Sequence, residues 1–142
     1  MLPRPEPGLV ISYAYLWAHE REQARSEGVK TRPCVIVLKV DRTAPGDTQI
    51  TVVPVTHRAP DAGTAALELP AGVKRHLGLD SERSWVILDE INQFAWPGFD
   101  LRPVPGSKSR FDHGLLPPKL FARIVAGVQE TWQRGRGKTV RR

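Results

Sequence analysis

The segment PCVIVLKVDRTAPGDTQITVVPVT, residues 33–56, contains two apolar runs of strand length separated by a Pro-Gly-Asp turn signal. The first run, 33–40, is apolar at nearly every position, as a strand buried on both faces would be. The second, 48–56, is rich in β-branched residues, so the two predict an antiparallel hairpin. Upstream, LVISYAYLW at 9–17 follows Pro-Gly and predicts another strand, and 18–31 is a polar connection without a useful apolar face. Downstream, 65–69 predicts a short strand, 71–79 one or two helical turns, and SWVILDEIN at 84–92 a further strand. Residues 94–105 carry Trp96-Pro97-Gly98 and two more prolines, which predicts an irregular stretch or an edge. After Pro117-Pro118, the residues Leu120, Phe121, Ile124, Val125, Val128 and Trp132 recur at helical spacing on one face. The expectation is a mostly β, α+β fold: about five strands, mostly antiparallel, in a small curled sheet or barrel closed by a C-terminal helix.

The chain has 142 residues, 40% of them hydrophobic, enough for one packed core. A single domain over 1–132 is expected, with 133–142 as a basic, disordered tail. That tail holds five of the 21 Lys and Arg residues and no acid, so the remaining 16 cations nearly balance the 15 acids. The net charge of +6 therefore describes the tail more than the body and does not by itself indicate nucleic-acid binding. No run approaches the ~20 apolar residues of a membrane helix, and the start lacks the basic-then-apolar build of a signal peptide, so a cytoplasmic protein without a membrane partner is expected. One cysteine, Cys34, excludes an internal disulfide and a zinc site built on paired cysteines; inside its apolar run it reads as a buried thiol.

The chemistry-bearing pattern is SEGVKTRP at 26–33, a polar loop delivering Arg32 to the mouth of a buried strand, followed by Val53-Pro54-Val55-Thr56 at the end of the next. A hairpin sets the start of one strand beside the finish of the other, so Arg32 and Thr56 are expected at one rim. A guanidinium and a hydroxyl placed together suit a phosphate or its pentacoordinate transition state. The bland alternatives are a loop arginine paired with a surface acid and a threonine serving as a β-former. His57 follows Thr56 and reaches the same site only if the strand ends or bulges there, which suits an RNA contact better than a catalyst. His76 and His113 have no partner motif and are expected to be structural or solvent-facing. Asp89 and Glu90 should point to opposite faces, leaving Asp89 a minor candidate as a site acid. Trp85 and Trp132 fit core positions, and Trp17 and Trp96 remain as surface contacts for bases.

With an Arg-Pro entering a hydrophobic strand and a Pro-apolar-Thr ending the next, the sequence resembles the PemK/MazF-like toxins of toxin–antitoxin systems. The resemblance covers roughly residues 7–128 and is specific at those two motifs. It implies an SH3-like barrel, a homodimer, a cognate antitoxin as partner, and metal-independent endoribonuclease activity on single-stranded RNA with no cofactor. Arg32 and Thr56 match the family's catalytic arginine and threonine. Its upstream acidic residue is assigned to Glu27, with Glu20 or His19 as alternative bases. His19, Glu20, Lys30, His57 and Arg58 are expected as RNA contacts. Residues 94–113 are longer and richer in proline than in compact members. Two rival readings are a gyrase-poison-like toxin that binds a protein from the same fold, and a nucleic-acid-binding module without catalysis.

Overall fold

The computed structural model describes residues 2–22, 30–42 and 46–142. Its elements run β1 (Leu9–Ala14), α1 (Ala18–Glu22), β2 (Thr31–Asp41), β3 (Thr48–Thr56), β4 (Ala66–Glu68), α2 (Ala71–His76), β5 (Trp85–Ile87), β6 (Glu90–Ala95), β7 (Asp112–Leu115), α3 (Pro118–Gln133) and β8 (Lys138–Arg141). The expected hairpin is present: β2 and β3 pair antiparallel from Cys34↔Pro54 to Asp41↔Thr48, with a register shift between Ile36 and Leu38. β1 pairs with the other edge of β2 and with β7. The free edge of β3 is shared, β6 taking Gln49–Val52 and β5 taking Val55 and Thr56.

The side-chain period of two divides these strands between two cores. Val10, Val35, Val53, Val55 and Val86 join Leu120 and Ile124 of α3 on one face. Ile11, Tyr13, Cys34, Ile36, Ile50, Val52 and Phe94 fill the other. Burial on both faces explains why 34–37 shows no polar alternation. α3 begins at the expected proline pair, with Pro118 in its first turn, where the missing N–H costs no hydrogen bond.

Three expectations need correction. The sheet is not a closed barrel: β4 and β7 stand at the ends of the main path, and a side branch runs from β3 through β6 to β8. The strand expected over 84–92 is two, since β5 ends at Ile87 and β6 starts at Glu90, each taking a different stretch of β3. The tail expected to be disordered folds: β8 pairs parallel with β6 from Glu90↔Lys138 to Gln93↔Arg141.

The physical reason for that last correction is remote from the tail. Val140 is buried, and the Arg142 side chain, 4% exposed, meets Asp100 at 2.9 Å and donates to the Ala14 carbonyl at 2.9 Å. The balancing acid lies far off in sequence, so local composition shows only cations. Gly137 makes the approach possible, because a Cβ there would run into the Trp132 indole.

Among the described residues no helix is long and apolar enough to cross a membrane. Arg142→Ala is expected to cost about 3 kcal/mol, because it strands the largely buried Asp100 carboxylate without its cation. In urea titration the midpoint should fall with the slope unchanged, and an unmoved midpoint would show that the Arg142–Asp100 pair adds nothing to the fold.

Candidate functional site

Continuing the β2–β3 register two residues past Cys34↔Pro54 sets Arg32 opposite Thr56, and on its other edge Arg32 pairs with Tyr13. At this rim lies a cavity of about 470 Å³ whose wall includes Ser12, Lys30, Arg32, Thr56, His57, Asp80, Ser84 and His113. By alternation Arg32 and Thr56 leave the sheet on one face and Pro33 and Val55 on the other. The cavity touches all four because β2 begins and β3 ends there.

Arg32 is held by an aromatic surface rather than a carboxylate. Its Cζ lies 5.1 Å from the Trp17 ring centroid, and Trp17 meets Tyr15 edge-on at 5.1 Å and stacks with the exposed His19 at 6.3 Å. Among the described residues Arg32 makes no ion pair, and its buried Nε has no hydrogen-bond partner. Burial pulls its pKa down from the ordinary value. Even so, a guanidinium stays charged in water at any pH a protein tolerates. The result is an available cation in a partly desolvated setting, where its field is strong.

Two buried carboxylates hold the platform in place. Glu20 accepts from the Trp17 amide at 3.0 Å and Glu90 from the Ala18 amide at 2.5 Å, so both satisfy N–H groups at the start of α1. Glu20, expected as an RNA contact or alternative base, is 3% exposed and does not line the Arg32 cavity. Burial raises the Glu90 pKa, with Asp89 adding to the effect. Asp89 lines a separate cavity with Glu130 and Arg134, so the two acids are divided as expected, and neither lines the Arg32 cavity.

The Thr56 hydroxyl oxygen accepts from the Arg58 amide at 3.2 Å, which leaves its proton available for donation. Lys30 and His57 are exposed at the cavity, Arg58 is exposed beyond it, and Glu27 lies outside the described residues. Cys34 is fully buried and burial pushes its thiol pKa up, which makes it inert as expected. Trp96 packs against the second core rather than standing free.

His113 is the site residue that sequence reasoning missed. It sits in β7, a four-residue strand with no apolar run to announce it, and it is buried against the cavity. Burial lowers its pKa, and the Arg110 charge lowers it further, so the ring is neutral near pH 7. Arg32, Thr56 and a neutral imidazole together provide a fixed positive charge, a hydroxyl donor and a proton acceptor.

His57, Asp80 and Glu82 bring one possible metal-ligand atom each within 4.8 Å of one another, all three exposed. The Lys74 ammonium already occupies one Asp80 oxygen at 2.7 Å, a positive charge that opposes a divalent ion there. No family model, curated protein or solved structure matches the chain, so the resemblance read at 26–33 and 53–56 rests on those two motifs.

The His113 environment gives a signed pH dependence. Its folded pKa lies below the unfolded value, about 6.5, so on acidification the unfolded chain takes the proton first and stability is lost as pH falls through 6.5. His113→Gln should shrink the drop in Tm between about pH 7 and 5.5. Parallel curves for the two proteins would show that the ring is not held neutral by the fold.

Proposed function

We propose that the chain is an endoribonuclease that cuts single-stranded RNA without a metal ion, acting as the toxin of a toxin–antitoxin pair. The observation that supports this best is Arg32: a cation without an ion pair among the described residues, braced on Trp17 beside Thr56 at a cavity mouth. Among the described residues Arg83 has Glu68 and Arg142 has Asp100 as carboxylate partners, whereas Arg32 has none. The hairpin holds Arg32 and Thr56 in place before any substrate arrives, which is what electrostatic stabilisation of a transition state requires.

In this reading the 2′-hydroxyl attacks the adjacent phosphorus, the bond to the 5′-oxygen breaks, and the products are a 2′,3′-cyclic phosphate and a 5′-hydroxyl. Arg32 stabilises the charge gathering on the phosphorane oxygens and Thr56 donates to one of them. A single strand is required because its bases can splay away from the scissile phosphate. Lys30 and Arg58 supply cations along the approach, and His19, stacked on Trp17, presents a flat face to a base. The homodimer and the cognate antitoxin enter as partners through the same resemblance.

Incubation with mixed single-stranded RNA in excess EDTA should give fragments with cyclic-phosphate and 5′-hydroxyl ends, read by mass. Arg32→Ala and Thr56→Ala should each keep the wild-type Tm within a degree or two and lose about a hundredfold to a thousandfold in rate, equal to roughly 2.7 to 4 kcal/mol. Strict dependence on added Mg²⁺ with 5′-phosphate products would overturn the chemistry, and normally folded variants cutting at full speed would overturn the site.

A further inference from the structure

Lys74 is a lysine in a short helix whose side chain is only 6% exposed. Its ammonium is met by Asp80 Oδ1 at 2.7 Å, by Ser84 Oγ at 2.8 Å and by the Glu82 carbonyl. All three acceptors belong to the loop 80–84, so the burial of one cation is satisfied by fixing the shape of that loop. The same Asp80 oxygen also accepts from the Glu82 amide at 3.1 Å. With Oδ1 doubly occupied, the carboxylate cannot rotate freely, and its other oxygen, Oδ2, lies 2.8 Å from His57 Nε2.

His57 is the first residue after β3, beside Thr56, and it lines the Arg32 cavity together with Asp80. Its second ring nitrogen, Nδ1, lies 3.6 Å from Glu82 Oε2, beyond a hydrogen bond, and the Glu82 side chain is 73% exposed. The ring is therefore hydrogen-bonded at one nitrogen, and the other stands 3.6 Å from a carboxylate without a hydrogen bond to it. A carboxylate fixed on Nε2–H sets the tautomer and leaves the Nδ1 lone pair as the acceptor.

We infer that His57 is the proton-transfer residue of this cavity, working through Nδ1, with Asp80 and buried Lys74 as its positioning residues. This rests on the endoribonuclease reading and assigns the base that reading requires, in place of Glu27. The 2′-hydroxyl proton passes to His57 Nδ1 as O2′ bonds to phosphorus. The bond from phosphorus to O5′ breaks, O5′ takes a proton from solvent water, and His57 returns its proton to solvent. No water is consumed and no oxidant or metal is needed. The charged and titratable groups around the ring are Asp80, Glu82, Lys74, Lys30, Arg32 and His113, and the pH profile belongs to that set.

Two measurements on the full chain test this. Imidazole ¹⁵N shifts should report His57 as the Nε2–H tautomer in the wild type, the Nδ1–H tautomer in Asp80→Asn, whose amide N–H₂ would face Nε2 as a donor, and a mixed population in Lys74→Met. The Asn variant keeps the shape of the loop should the Met variant fold poorly. Cleavage of a single-stranded RNA oligonucleotide by His57→Ala should lose about a hundredfold or more in kcat with KM within about threefold, and with it the acid limb of the wild-type pH profile. Asp80→Asn should lose about tenfold in kcat and shift that limb. If Arg32→Ala is inactive while His57→Ala cuts at the wild-type rate, this inference falls and the endoribonuclease reading stands. If the wild type cuts no RNA, both fall. A wild-type His57 without tautomer preference removes the positioning roles.

Discussion

Strand β3 is hydrogen-bonded along both edges and buried on both faces, and every other part of the fold is arranged to satisfy it. β2 covers one edge from Thr48 to Pro54. The other edge is too long for either remaining partner, so β6 takes Gln49 to Val52 and β5 takes Val55 and Thr56. That division is why the chain breaks at Leu88 and Asp89, why the sheet branches, and why β8 is needed to pair the outer edge of β6. An uncovered edge would leave backbone donors and acceptors open to pairing with another chain.

The same strand determines where chemistry can occur. A residue inside β3 is sealed between the two cores, so only its ends can present polar groups to a ligand. Thr56 and His57 occupy the end opposite the start of β2, where Arg32 enters. The rim is rigid because two packed cores stand behind it, and side chains held on strands keep their geometry better than side chains on loops. The aromatic bracing of Arg32 extends this rigidity to a long side chain that would otherwise spend entropy on every encounter.

What could be read in the sequence was whatever depended on neighbours a few residues away. The hairpin, the proline-started helix, the buried Cys34 and the rim position of Arg32 and Thr56 all follow from local period and turn chemistry. The remainder depended on partners remote in sequence. Lys138 to Arg142 looked like a solvated charge run because Asp100 and the edge of β6 lie elsewhere in the chain. His113 looked idle because β7 is four residues long and is defined by β1, not by its own pattern. Glu20 looked like a surface acid because the Trp17 amide it accepts from comes from a bend that no residue type announces. The contact between His57 and Asp80 spans a strand end, a short strand and a helix, and no spacing rule connects them.

The cavity wall draws on Ser12 from the first strand and His113 from the last strand before the terminal helix. It is therefore a product of the whole topology rather than of any segment, and its formation must follow the slow, entropically costly closure of non-local pairs. During synthesis the chain leaves the ribosome from its N-terminus, and Arg32 and Thr56 emerge long before the residues that complete the wall. An emerging chain thus carries Arg32 and Thr56 before the residues that complete the wall, and the site is whole only once His113 has joined the sheet beside β1. For a protein whose proposed substrate is the class of molecule being translated, that order of assembly keeps the proposed site incomplete until β7 has been made and paired.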